Sequence, residues 1–204
     1  MTREGYPWVL TPLAAAVAAG LLGVWWLAAA LLLLAAFMAY FFRDPRREVP
    51  QGAGLVVAPA DGRVTRVEKL SPEDPRSPSV VSIFLSPLDV HINRAPIPGK
   101  IVDVVYSPGK FLMATNKKSS VVNEQNALTI QGEKITVVCK QIAGILARRI
   151  VCWKHTGDRL NLGERFGMIK FSSRTDVLLP ANVKVTVAEG DRVRGGITVI
   201  GRIS

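Results

Sequence analysis

The chain has 204 residues, about one domain's worth, and carries a formal net charge of +10 at pH 7. Hydrophobic residues make up 49% and charged residues 21%, with a mean hydropathy of +0.25. This composition excludes a disordered chain, a collagen-like chain and a disulfide-dense secreted domain. A simple cytosolic protein is also excluded, because the apolar surplus is concentrated in the first fifth of the chain.

The first element is a run without any charged residue from Trp8 to Phe42. It is too long for the apolar core of a cleaved signal peptide. One straight helix over it would measure about 52 Å, against about 30 Å for the hydrocarbon core of a bilayer. We therefore predict that residues 1–45 form a membrane anchor. It is either a helical hairpin with a turn near Gly20–Trp25, entering one leaflet or crossing, or one tilted span that begins near Ala18.

The basic segment Arg43–Arg47 follows at once and predicts that the rest of the chain stays on the cytoplasmic side of the inner membrane. The whole charge of +10 lies in residues 43–204, since Arg3 and Glu4 cancel. A basic domain also suits nucleic acid, but a tethered domain meets lipid phosphates first. The predicted partner is thus an anionic phospholipid membrane and not nucleic acid, and a homo-oligomer is left open.

Residues 46–204 contain ten short β-rich runs separated by Gly, Pro and Asp, with no long helical period. This pattern predicts a mainly β fold, a sandwich or barrel. The closing segment 183–203 resembles the barrel-sandwich fold of swinging-arm carrier domains, although their Met-Lys hairpin is absent. Ser71–Ser79 is predicted as an exposed loop, and Lys110–Asn126 as a longer loop with one helical turn.

The two cysteines, Cys139 and Cys152, lie in apolar runs. With only His91 and His155 as further ligands, a zinc site is poorly supported, and no metal is predicted. We expect two buried thiols in a reducing compartment, with a disulfide as the alternative.

Three motifs combine reactive side chains with turn signals: Asp61 in APADGR, His91 in LSPLDVHINRAP and Ser173 in FGMIKFSSRTDVLLP. Each alone also fits a structural role, as a turn aspartate, a buried histidine or a loop serine. Together they provide an Asp–His–Ser set that could activate a serine hydroxyl.

The same motifs carry a resemblance that runs from Arg3 to the end of the chain. APADGRV at Ala58–Val64, FLSPLDVHINRAP at Phe84–Pro96 and GERFGMIKFSSRTDVLLP at Gly163–Pro180 resemble the short, membrane-anchored type of phosphatidylserine decarboxylase. Members of this family are pyruvoyl-dependent carboxy-lyases of phospholipid biosynthesis, made as self-cleaving proenzymes.

The resemblance implies a specific chemistry. The bond between Ser172 and Ser173 would break, and Ser173 would become a covalent pyruvoyl cofactor. Asp61 and His91 would form the relay that deprotonates Ser173, and His91 would also be the later proton donor. The pyruvoyl carbonyl would take the amine of phosphatidylserine as a Schiff base and act as an electron sink while carbon dioxide leaves, giving phosphatidylethanolamine. Fragments 1–172 and 173–204 would stay together, because the C-terminal strands pair into the larger sheet.

Two positions depart from the family pattern. Ser172 stands where the family has Gly, which predicts slower or blocked processing, since Gly crowds an attacking hydroxyl least. Arg94 stands where longer family members carry a second His, so His91 would serve both steps. Two other functions remain as alternatives, a membrane-anchored serine hydrolase and a non-enzymatic barrel-sandwich adaptor. The chain lacks the G-x-S-x-G motif of α/β hydrolases, which counts against the hydrolase.

Overall fold

The computed structural model describes residues 1–112, 122–144, 149–171 and 173–203. The chain forms two compact units, Met1–Arg46 and Arg47–Ser204. The first is helical and the second is built of strands, so the prediction of a mainly β protein behind an N-terminal helical segment is confirmed.

The helical unit contains a short 3-10 turn at Arg3–Gly5 and two helices, α1 at Tyr6–Leu21 and α2 at Trp25–Phe41. The chain leaves α1 with Gly23 at φ +77°, a left-handed conformation that suits glycine. This break lies within the turn that the hairpin alternative predicts. The helices have 16 and 17 residues, and in the described part of the chain no helix is both long and apolar enough to cross a membrane.

Four alanines and Phe41 are buried in the two helices, whereas many of their large apolar side chains are exposed. The buried residues include Ala16 and Ala19 of α1 and Ala28 and Ala35 of α2. Both helices are rich in Ala and Leu, which are strong helix formers. The most exposed large apolar side chains, each over 70% accessible, are Leu21, Leu22, Trp25, Trp26 and Leu33.

The second unit consists of short strands joined by turns. Their bounds are β1 Leu55–Val57, β2 Gly62–Lys69, β3 Ser79–Leu85, β4 Ile92–Arg94, β5 Gly99–Ser107, β6 Gln125–Gln131, β7 Thr136–Ala143, β8 Arg149–Cys152, β9 Arg159–Leu160, β10 Arg165–Lys170, β11 Ser173–Leu179, β12 Val183–Val185, β13 Arg192–Val193 and β14 Val199–Ile203. The ten predicted runs all contain strands. The runs did not include the short strands β4 and β9, which have too few residues to show a period.

The strands form three antiparallel sheets. The largest has the order β13-β2-β3-β11-β7-β6-β5-β9, and two three-stranded sheets have the orders β4-β10-β8 and β1-β14-β12. The expectation that all C-terminal strands pair into the larger sheet is therefore wrong in part. Strands β11 and β13 join it, whereas β14 pairs with β1 and β12 pairs with β14.

The core lies on one face of the eight-stranded sheet. Val177 and Leu179 of β11 are level with Val81 and Ser79 of β3, and the inward side chains of β3, β7 and β11 are fully buried. The turn Ser71–Ser79 is exposed over residues 71–76, as expected, and closes through a hydrogen bond from Leu70 N to Pro78 O. Most of the predicted loop Lys110–Asn126 lies outside the described residues.

Candidate active site

The three segments that carry the predicted site residues meet at one edge of the eight-stranded sheet. Asp61 directly precedes β2, the chain leaving β3 leads to His91, and Ser173 is the first residue of β11. These three strands are neighbours in the order β2-β3-β11. The topology therefore collects residues that are up to 112 positions apart in the sequence.

The strand register confirms that these ends are level. Arg63 of β2 lies opposite Phe84 of β3, which lies opposite Arg174 of β11. One step closer to the edge, Ser173 lies between Leu85 of β3 and Ala143 of β7. Since neighbouring strands are about 4.8 Å apart, β2 and β11 are about 10 Å apart at this edge.

Ser173 is completely buried, and its Oγ makes no hydrogen bond to any residue in the described ranges. A buried hydroxyl without a partner is uncommon and calls for an explanation, such as a role in chemistry. Its neighbours across the sheet, Leu85 and Ala143, are fully buried and apolar. Ser173 thus has a hydroxyl that is shielded from water and a fixed place at the end of an inner strand of the sheet.

The chain just before Ser173 links β10 to β11 and thereby two different sheets. Phe171 in this link has φ +64°, and within the described ranges it is the one non-glycine residue with positive φ. A bulky residue in this region stores backbone strain, which often marks functional sites. Ser172, the predicted partner in cleavage, lies outside the described residues.

His91 is 1% exposed and lies beside this link. Its backbone oxygen accepts a hydrogen bond of 3.2 Å from Ile169 N of β10. Its Nδ1 lies 3.0 Å from the carbonyl oxygen of Asp89. Because a carbonyl only accepts, Nδ1 carries the proton, and in the neutral ring Nε2 is then the atom that can take one.

Asp61 is held by two contacts at the start of β2. Its Oδ2 accepts a hydrogen bond of 2.7 Å from Arg47, and its Oδ1 accepts one of 2.7 Å from Gly195 N. Its hydrogen bonds therefore go to these residues rather than to His91. Gly62 follows with φ +153°, and a Cβ there would overlap the carbonyl oxygen of Phe84, so only glycine allows β2 to begin this close to β3.

Arg94, which stands at the position of a second histidine in longer family members, is buried. Its guanidinium donates to the carbonyl oxygen of Gly163 at 3.1 Å. Arg94 thus ties the turn before β10 to β4.

The sequence motifs did not single out a chain of buried polar side chains behind Ser173. Asn126 Nδ2 donates to Gln141 Oε1 at 3.0 Å, Gln141 Nε2 donates to Asn93 Oδ1 at 2.9 Å, and Asn93 Nδ2 donates to Thr175 Oγ1 at 3.0 Å. All four residues are buried. The feature of the sequence that could have indicated this chain is Gln141, a polar residue among the apolar inward positions of β7.

The opposite face of β11 carries a buried ion pair. Arg174 Nε lies 2.8 Å from Asp176 Oδ1, and Arg174 Nη2 donates to Asp176 Oδ2 at 2.9 Å. The two residues are two positions apart in a strand, so they share a face, and that face is the one away from Ser173.

The thiols do not compete with Ser173 as nucleophiles. Cys139 is buried and Cys152 is half-buried, and both are free of disulfides. Burial raises the pKa of Cys139 and, less completely, that of Cys152. Since the thiolate is the reactive form, these raised pKa values disfavour reaction of both thiols near neutral pH. Both cysteines are free, as expected, but only Cys139 is fully buried.

The β domain, with the segments of Asp61, His91 and Ser173 at one edge of its largest sheet, defines a candidate enzyme site, and comparison with known proteins assigns the family. The family model described as Phosphatidylserine decarboxylase matches residues 34–201. A phosphatidylserine decarboxylase proenzyme of Nitrosomonas europaea is 46% identical over 204 residues, covering 98% of this chain and 94% of that protein. One of Symbiobacterium thermophilum is 50% identical over 210 residues, covering 100% and 95%.

The chain therefore belongs to the phosphatidylserine decarboxylase family. The resemblance seen in the three motifs is confirmed, as is the enzyme class of carboxy-lyase. A third relative, from Solibacter usitatus, is 50% identical over 168 residues, which cover 82% of this chain and 79% of that protein.

Proposed function

We propose that this protein decarboxylates phosphatidylserine to phosphatidylethanolamine, using a pyruvoyl group made from its own Ser173. The observation that supports this most strongly is the buried Ser173 hydroxyl, without a partner among the described residues, at the edge where the segments of Asp61 and His91 converge. Family membership supplies the substrate class.

In this proposal the chain first cuts itself. Ser173 Oγ loses its proton and attacks the carbonyl carbon of residue 172, the C–N bond breaks, and the chain is joined through an ester with the amine of Ser173 released. Loss of the Cα proton then expels the carboxylate of residue 172 and leaves a dehydroalanine. Addition of water and departure of ammonia convert it to the pyruvoyl group at the start of fragment 173–204.

His91 is the proposed base in this step. With Nδ1–H donated to Asp89 O, its Nε2 takes the proton of Ser173 Oγ. Asp61 is the proposed carboxylate of the relay, although its oxygens contact Arg47 and Gly195. For Asp61 to orient the His91 ring directly, the Nδ1–H of His91 must turn from Asp89 O to an oxygen of Asp61 during processing.

The surroundings of Ser173 fit the proposed group. Strand pairing on both sides holds residue 173 in the sheet, and Leu85 and Ala143 keep water away from it. The pyruvoyl group supplies an electron-accepting carbonyl for the charge that remains when carbon dioxide leaves. The dry, apolar neighbours favour loss of the charged carboxylate of the substrate as a neutral gas. After cleavage His91 returns a proton to the product carbon.

The two fragments are proposed to stay associated without a covalent link. Residues 173–203 contain β11, which lies between β3 and β7, β13, which pairs with β2, and β14, which pairs with β1. Removing them would expose unpaired strand edges in two sheets.

We further propose that the protein acts at the cytoplasmic side of the inner membrane, on anionic lipid. In support, both helices lack charged residues and expose large apolar side chains such as Trp25, Trp26 and Leu33, as expected for helices in contact with lipid. Full-length protein should stay with membranes washed at high salt and leave them in detergent. Release by salt alone would instead show a purely electrostatic attachment, which salt screens.

The decisive experiment compares the parent chain with Ser172→Gly and Ser173→Ala. Intact mass spectrometry should show fragments 1–172 and 173–204, with a hydrazine-reactive carbonyl at the start of the second, and vesicles of phosphatidylserine should release carbon dioxide. Ser173→Ala should stay whole, and Ser172→Gly should be cut at least as fast as the parent. If the parent and Ser172→Gly both stay whole and inactive on these vesicles, the proposed function is wrong. Fluorophosphonate labelling of uncut Ser173 would favour the serine hydrolase.

A further inference from the structure

The buried amides behind Ser173 form a chain with a fixed direction. Asn126 donates to Gln141, Gln141 donates to Asn93, and Asn93 donates to Thr175. A second contact from Gln141 Nε2 to the carbonyl oxygen of Val151, at 3.4 Å, confirms which end of this amide is the nitrogen. Each amide therefore has its orientation set by the preceding one.

Three members of this chain lie side by side in the large sheet. Thr175 of β11 is opposite Gln141 of β7, and Gln141 is opposite Asn126 of β6. Asn93 belongs to β4 of a different sheet. The hydrogen bonds of Asn93 to Gln141 and Thr175 therefore join the two sheets on the buried face.

The junction between the two sheets lies close in sequence to the predicted site residues. Asn93 follows His91 by two residues, and Thr175 follows Ser173 by two residues. Ser173 and Thr175 lie in one strand, so they share a face and are about 6.6 Å apart, whereas His91 directly precedes β4, whose middle residue is Asn93. The Asn93–Thr175 hydrogen bond thus joins the two segments one step beyond the predicted base and the predicted nucleophile.

We infer that Asn93, oriented by Gln141 and Asn126, is a positioning residue that holds the His91 segment in register with the strand beginning at Ser173. The expected effect on processing rests on the proposed function. The alignment of the His91 segment with β11, in contrast, is already present in the uncut chain. Nonpolar side chains would fill the same space without choosing a register, because dispersion contacts lack direction, whereas the hydrogen bonds select one alignment.

The test compares Thr175→Val, Thr175→Ser and Asn93→Ala. Valine keeps the volume of threonine but removes the acceptor of Asn93, whereas serine keeps the acceptor. We expect Thr175→Val and Asn93→Ala to slow self-cleavage about 10²-fold, the size expected for a small misplacement of reacting groups, and Thr175→Ser to restore most of the rate. Ser82→Ala is the matched control, since Ser82 is a buried serine of β3, the neighbouring strand, and should leave the rate unchanged.

A second measurement does not depend on processing. In a Ser173→Ala background, the ring NMR signals and the titration of His91 should move in Asn93→Ala and Thr175→Val and stay unchanged in Ser82→Ala, with the exposed His155 as internal reference. If the parent is cut but Thr175→Val is cut equally fast, the inference is wrong and the proposed function stands. If only Ser172→Gly is cut, the rates are compared in that background. If neither the parent nor Ser172→Gly is ever cut, the proposed function fails, and the His91 signals alone decide: unchanged signals in both variants overturn the inference.

Discussion

The two faces of β11 differ in how they satisfy buried polar groups. On one face, Thr175 is neutral and hydrogen-bonded, while the hydroxyl of Ser173 has no partner among the described residues. On the other face, Arg174 and Asp176 are charged and bind each other through two contacts. A buried hydroxyl that reacts must be able to give up its proton, whereas buried opposite charges are stable only when they compensate each other. Because side chains alternate between the two faces of a strand, the seven residues of β11 meet both requirements.

The largest expected effect concerns the Ser173 face. His91→Ala should slow self-cleavage about 10²–10⁴-fold, the range for loss of a general base, without unfolding the protein. Denaturing gels over time would measure this. His155→Ala is the control, because His155 is exposed and should be replaceable. Full processing of His91→Ala at the parent rate would remove His91 from the relay.

The opposite face should respond in stability. Asp176→Ala leaves the Arg174 charge buried without its carboxylate, and we expect a loss of about 3–5 kcal/mol in the free energy of unfolding. Urea unfolding in a Ser173→Ala background keeps the chain uncut for this measurement. The double variant Arg174→Met, Asp176→Leu should recover most of the loss, since it removes both charges. A double variant as unstable as Asp176→Ala would show that the pair matters through other contacts.

Asp61 extends the comparison beyond β11, because it is proposed to act in processing, like Ser173, and it forms an ion pair, like Asp176. Asp61→Ala and Arg47→Met both break the 2.7 Å contact between these residues, and each should lower stability by about 1–3 kcal/mol. Only Asp61→Ala should stop processing, since Arg47→Met keeps the carboxylate. Equal cleavage rates in the two variants would reduce Asp61 to a structural role.

The smallest effect is expected far from both faces, at the ion pair of Lys154 and Glu164, whose atoms lie 2.7 Å apart. Burial alone would raise the pKa of Glu164, but the hydrogen bond from Asn161 N and the contacts with Lys154 outweigh it and lower the pKa. A lowered pKa stabilises the fold above the unfolded-state value, and this stabilisation is lost as the pH falls through the folded-state value.

Lys154→Met should therefore cost less than about 1 kcal/mol near neutral pH, since the pair is partly exposed. Urea unfolding from about pH 7 to about pH 3 should show this difference shrinking as Glu164 takes up its proton. A difference that stays constant over this range would assign the effect to packing of the lysine side chain.

Much of the molecule followed from local sequence. The uncharged run, rich in Ala and Leu and interrupted at Gly23, determines two helices and the turn between them, because helix propensity and glycine conformation are local properties. The alternating apolar runs likewise determine most strands, and the motifs around Asp61, His91 and Ser173 indicate the family. These features depend on residues only a few positions apart.

The tertiary structure alone decided which of these residues meet. Strand order places Ser173 between β3 and β7, with the start of β2 on the far side of β3. The tertiary structure also turns the Asp61 carboxylate to Arg47 and Gly195 and assembles Asn93, Gln141 and Thr175 from three distant strands. It also placed Phe171 at positive φ, in the link between two sheets. Pairing between strands far apart in sequence depends on the packing of the whole core, and no single run of residues carries that information.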